Sequence, residues 1–150
     1  MRLRQLTAGI GLVAAIALSG APAQANEFEE QVATRIYEMA DGLRLMEDAI
    51  LVETVIETLE ADETVRLNFT MNAGQDYTII GACDSDCSDI DFELFDSLDF
   101  SVAEDFGTDG LPIIRVTPDF TEEFSLDVSM FDCTSGFCYY GVSVFRQNDI

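Results

Sequence analysis

The chain has 150 residues and a formal net charge of −22 at pH 7, with 29 acidic residues against 7 arginines and no lysine or histidine. Without histidine there is no Ser-His-Asp or Cys-His arrangement, and without lysine there is no Schiff base or phosphate-binding P-loop lysine. The negative charge repels nucleic-acid phosphates and anionic lipid, which excludes both as partners. We therefore predict that the protein is not an enzyme.

The N-terminus has the three parts of a secretory signal peptide. Arg2 and Arg4 form a positive start, residues 6–18 are apolar and uncharged, and Ala23-Gln24-Ala25 is a small-x-small cleavage pattern. The apolar stretch is shorter than the roughly 20 residues that cross a bilayer, which disfavours a retained membrane anchor. We predict a signal peptide over residues 1–25, cleavage after Ala25, no later membrane insertion, and a periplasmic or secreted mature protein.

An amphipathic helix is predicted over residues 26–41. Five apolar residues recur there at intervals of three or four and so share one face: Phe28, Val32, Ile36, Met39 and Leu43. Gly42 is a typical stop signal. The pattern predicts that this apolar face packs against the core of the protein.

Beyond the helix, apolar and polar residues alternate with the period of a strand. The alternation is clear in residues 64–71, 124–130 and 140–145. Further strand candidates are 50–59, 76–83, 90–95, 99–104 and 112–117. About eight short strands separated by turn signals predict an all-β fold, an antiparallel β-sandwich or jelly roll, as a single domain over residues 26–150.

Four aromatic residues fall opposite the main apolar stripe of their strands: Phe95, Phe131, Tyr139 and Phe145. Such side chains pack under a covering element or, where several lie together, form a contact patch. We predict that they pack under the N-terminal helix, and the alternative is a binding patch.

The four cysteines of an exported chain predict disulfides. Four cysteines allow three pairings, and the short turn-like intervals favour Cys83–Cys87 and Cys133–Cys138. A zinc site is disfavoured because CxxC spacing and histidine are both missing, and a redox pair is disfavoured because the acidic surroundings would raise a thiol pKa.

Between and beyond the first two cysteines, carboxylates alternate along the chain as Asp84, Asp86, Asp89 and Asp91. Calcium takes six to eight oxygen ligands, so we consider these four aspartates a calcium site, although the spacing does not match an EF-hand loop. The alternative is that they form turns and a solvated rim. No required cofactor is predicted, and calcium is the one candidate.

Several segments of the sequence resemble those of a known bacterial family: residues 72–77, 81–92, 112–118 and 133–142. Residues 67–96 and 112–146 are similar to the pre-peptidase C-terminal (PPC) type of β-sandwich, in a cysteine-containing group of small exported proteins of Gram-negative bacteria. The resemblance implies an accessory module of exported enzymes, and some relatives bind calcium or extracellular polymers.

These observations favour a non-catalytic exported binding or accessory module with a protein or an extracellular polymer as partner. If calcium binds, it would stabilise this module. The alternative is a structural or partner-stabilising envelope protein without metal. A third hypothesis is a glycoside hydrolase that uses Asp89 together with Asp91 or Glu93 as its carboxylate pair.

Overall fold

The computed structural model describes residues 23–148. Residues 1–22 of the predicted signal peptide lie outside that range, and its processing after Ala25 stays a prediction. The first helix, α1 (Ala23–Gly42), begins three residues before the predicted start, where alanine favours helix, and ends at the predicted glycine. None of the helices in the described range is long and apolar enough to cross a bilayer.

A short second helix that the sequence did not predict, α2 (Leu45–Asp48), leads into eight strands over the described residues. The strands are β1 (Ala49–Leu59), β2 (Glu63–Met71), β3 (Tyr77–Cys83), β4 (Cys87–Phe95), β5 (Ser101–Asp105), β6 (Ile113–Val116), β7 (Glu122–Cys133) and β8 (Cys138–Gln147). They form two antiparallel four-stranded sheets, ordered β1-β8-β3-β6 and β2-β7-β4-β5. The predicted all-β sandwich is confirmed.

The main core lies between the two sheets and follows from the period-two pattern of the strands. Phe92 and Leu94 of β4, Leu126 and Val128 of β7, and Tyr140 of β8 are all fully buried there. Alternate residues of β4 and β7 face away from this core, which gives one apolar and one polar side to their sheet.

Helix α1 covers the outer side of the first sheet and forms a second core with it. Val32 and Ile36 of α1 pack with Ile80 of β3 and Phe145 of β8. Gly141 permits this close approach, because a Cβ there would lie 2.6 Å from side-chain atoms of both α1 residues. Strand β3 is therefore buried on both sides along its whole length.

The position of α1 also determines which of the four aromatic residues are buried. Phe145 is buried in the second core and Tyr139 packs against it, as predicted. The prediction is wrong for Phe131, which is 54% exposed, and for Phe95, whose ring lies under Arg66. Their strands, β7 and β4, belong to the sheet that α1 does not cover.

Candidate functional site

Two disulfide loops meet at one end of the sandwich. The structure joins Cys83 to Cys87 in the β3–β4 loop and Cys133 to Cys138 in the β7–β8 loop, which is the pairing that the spacing favours. The backbone N–H of Thr134, in the second loop, donates to the carbonyl oxygen of Asp86 in the first at 2.9 Å, and its hydroxyl donates to the same oxygen at 3.1 Å. These hydrogen bonds therefore connect the two loops into one structural unit.

Asp84 holds this unit together from inside. It is only 2% exposed, and its carboxylate accepts the backbone N–H of Asp86 at 3.0 Å and that of Tyr139 at 2.7 Å. The guanidinium of Arg35 on α1 donates to the carbonyl oxygens of Cys83 and Asp84, at 2.6 and 3.1 Å. Each of these contacts satisfies a backbone group of the turn, so Asp84 has a structural role in this loop.

Two of the four predicted calcium ligands lie on a different surface. Asp89 and Asp91 follow the loop on β4 and point, with Glu93, to the outer side of the second sheet. We call this surface the carboxylate face and define it by its acidic residues on three strands, Asp89, Asp91, Glu93, Glu104 and Asp127. No helix packs over it within the described residues, because α1 contacts β1, β3 and β8.

Like charges stand directly opposite one another across this face. Glu93 of β4 pairs with Asp127 of β7 on one side and with Glu104 of β5 on the other. Asp89 is opposite Asp132 of β7 in the same way. Directly opposed like charges destabilise a sheet, so the free protein bears an unfavourable electrostatic term here.

One arginine neutralises the β2 side of the face. Arg66 contacts both carboxylate oxygens of Asp127, at 2.6 and 2.9 Å, and one oxygen of Asp99 at 3.0 Å. Its guanidinium also lies 4.9 Å from the centre of the Phe95 ring. No other ion pair joins the described residues, so the β4–β5 side keeps its full negative charge.

The pKa of Asp91 shows the effect of this uncompensated negative charge. Burial first, and then the negative charges of Asp89 and Asp105, together raise its pKa to about 6. One carboxylate oxygen of Asp91 and one of Asp89 are buried without a hydrogen-bond partner in the described part of the chain. Both carboxylates would therefore gain from a donor or a cation supplied from outside.

The structure separates the four predicted calcium ligands into two groups. Asp84 and Asp86 belong to the loop, while Asp89 and Asp91 lie on the carboxylate face. Within residues 23–148 no three Asp, Glu, Cys or His side chains are grouped so as to hold a metal ion. Calcium binding stays a prediction. The carboxylate pair considered for glycoside hydrolysis also lies on this face, along one strand.

The row of opposed carboxylates was missed by sequence reasoning. The period-two pattern places Asp91 and Glu93 on an outer face, but Glu104 and Asp127 join them only through the pairing of β5 and β7 with β4. A search for acidic residues on the polar side of the strand candidates 90–95, 99–104 and 124–130 would have raised the possibility.

Comparison with known proteins identifies no family. No family model matches the chain. No similar protein is found among curated proteins. Among solved structures, the chain is similar to PliG of Aeromonas hydrophila, a periplasmic inhibitor of g-type lysozyme, at 12% identity and a TM-score of 0.47, over 63% of this chain and 85% of that one. The resemblance to the PPC family stays a prediction.

Proposed function

We propose that the chain is a non-catalytic exported binding module and that its carboxylate face binds a basic region of a protein partner. The observation that carries the proposal is the opposed pair Glu104 and Glu93, together with the Asp91 carboxylate oxygen that has no partner, on a sheet face with no covering element in the described chain. A partner that supplies arginine or lysine would relieve this repulsion, whereas a neutral partner would not.

The remaining features of the chain fit such a role. Two disulfides are typical of proteins in an oxidising compartment, which supports a periplasmic or secreted location. They fix the end of the sandwich next to the face, and a rigid surface loses less conformational entropy when it binds. The chain lacks the histidine and lysine on which most acid–base and nucleophilic mechanisms depend.

The test is a capture experiment with a charge-matched control. The full mature chain is immobilised and exposed to extract of the native cell envelope at about 20 mM and about 500 mM salt. The face variant combines Asp91→Asn, Glu93→Gln and Glu104→Gln. The control variant removes the same charge from the exposed side of α1 with Glu27→Gln, Glu30→Gln and Glu38→Gln.

We expect the wild type and the control to retain a basic protein that elutes at high salt, and the face variant to lose it. If both variants lose the protein equally, net charge alone attracts it and the face is not the site. If nothing basic is retained at low salt, the proposal is wrong. A retained neutral polymer would favour the extracellular-polymer alternative.

A further inference from the structure

The long edge strand β1 offers a second surface, separate from the carboxylate face. It is paired with β8 over most of its 11 residues and has no strand on its other side within the described residues. On the opposite edge of the same sheet, β6 has only 4 residues. A long unpaired edge presents a row of free backbone N–H and C=O groups that can pair with another extended chain.

Acidic side chains on β1 point to the inner side of this edge. Glu53 is opposite Val144 and Glu57 is opposite Tyr140, and both β8 residues lie in the core between the sheets. Directly opposed residues project to the same side of a sheet. Glu53 and Glu57 therefore line the open side of the sandwich, where both are exposed.

These charges select among possible occupants of the edge. A second copy of the chain would bring its own glutamates against Glu53 and Glu57, and opposed like charges disfavour that pairing. Inward-facing charges on an edge strand are a known protection against self-association. A strand that carries basic side chains would instead meet complementary charge.

Tyr140 lies directly opposite Glu57, behind this edge. Its side chain is fully buried, and its hydroxyl has no hydrogen-bond partner among the described residues. Burial, and then the charge of Glu57, raise the pKa of Tyr140 to about 12, which keeps the hydroxyl protonated. A buried hydroxyl without a partner is unfavourable, but Tyr140 is not accessible to an added strand, so the choice of a basic occupant rests on Glu53 and Glu57.

Apolar residues mark one end of the same strand. Ile50, Leu51 and Val52 are 46%, 53% and 48% exposed. The pairing of β1 with β8 shifts register between Leu51 and Glu53. Regular pairing of an added strand is thus limited to the residues from Glu53 onward, with the three aliphatic side chains beside it as contact surface.

We propose that β1 accepts an extended, basic segment of a protein partner as an added strand along residues 53–58, with its lysine or arginine side chains facing Glu53 and Glu57. The inference rests on the proposed function only in assuming a basic protein partner, and it concerns a different surface. Backbone pairing would hold the segment, and the two glutamates would select its charge.

The experiment uses a peptide of about nine residues that alternates lysine with valine, which is the simplest strand of this chemistry. Binding to the mature chain is measured by calorimetry, and amide hydrogen exchange locates the contact. We expect exchange to slow at residues 53–58. The double variant Glu53→Gln and Glu57→Gln should lower the affinity by about tenfold or more, while the pair Glu27→Gln and Glu30→Gln on the exposed side of α1 should leave it unchanged.

A second peptide with the same sequence carries methyl groups on alternate backbone nitrogens, so it keeps its charge but cannot pair as a strand. Equal binding of both peptides would overturn the inference, because charge alone would explain the contact. A third variant, Asp91→Asn with Glu93→Gln, tests the carboxylate face as the competing site. Loss of binding in this variant, with binding intact in the Glu53→Gln and Glu57→Gln variant, would also overturn the inference and would leave the proposed function standing. Dimers of the free chain that the peptide does not dissociate would show that a second copy occupies the edge.

Discussion

Replacement of Asp91 by asparagine should make the protein more stable at neutral pH. The carboxyl pKa is about 6 in the folded protein, against 3.8 for the free side chain. Between these values the folded state binds more protons than the unfolded state, so the stability contributed by Asp91 falls as the pH rises through 4 to 6. Above about pH 6 the ionised carboxylate destabilises the fold to its full extent, and Asp91→Asn removes that term.

The magnitude follows from the same shift. A change from 3.8 to about 6 corresponds to about 3 kcal/mol for a fully buried carboxyl. Because Asp91 lies at a partly exposed position, solvent screening reduces this to about 1 kcal/mol. For a domain of this size, about 1 kcal/mol raises Tm by roughly 4 °C.

Thermal melts of wild type and Asp91→Asn, followed by circular dichroism from pH 3.5 to pH 8, would check this expectation. The two curves of Tm against pH should converge below about pH 4 and separate as the pH rises. Asp119→Asn, on an exposed loop, is the matched control and should show no such separation. If Asp91→Asn lowers Tm at pH 7, the carboxylate has a favourable partner and the argument for uncompensated charge is wrong.

Three further predictions concern the contact between α1 and its sheet, the disulfide loops, and calcium. Gly141→Ala should lower the free energy of unfolding by about 1–2 kcal/mol in a urea titration, since its methyl group would meet two α1 side chains at 2.6 Å; Gly136→Ala, in open space, is the control. Asp84→Ala should cost about 2–3 kcal/mol in the same titration, because it leaves two backbone N–H groups of the loops without an acceptor. Millimolar calcium should raise Tm if the aspartates of residues 84–91 bind it, and an unchanged Tm would remove the calcium prediction.

The strands and the sandwich could be predicted from the sequence because a half-buried strand repeats every two residues. The division of strands between sheets could not, since the same alternation fits either sheet. Tyr139 and Phe131 show the difference: both lie off the apolar stripe, yet one packs against the α1 core and the other is exposed. The location of α1 decides between these outcomes, and α1 touches β8 through contacts distant in sequence.

The four aspartates show the same limit for the candidate site. Their spacing is regular, but Asp84 accepts hydrogen bonds from the backbone of the loop, while Asp91 has an oxygen with no partner in the described chain. The first environment depends on β8, which supplies the N–H of Tyr139, and the second on β4 and its neighbours. Sequence spacing shows which carboxylates are close along the chain, but neither which of them share a surface nor which already have partners.

The same uncompensated charge predicts opposite effects of salt on stability and on binding. Salt screens exposed like charges, so the repulsion between Glu104 and Glu93 weakens and the Tm of the free protein should rise between about 20 mM and about 500 mM salt. Screening also weakens attraction to a basic partner, so the capture of that partner should decrease over the same range. The face variant, which lacks most of this charge, should show a smaller rise in Tm than the α1 control. An equal rise in both variants would mean that the net charge of the whole chain, and not the opposed pairs of the carboxylate face, sets the response.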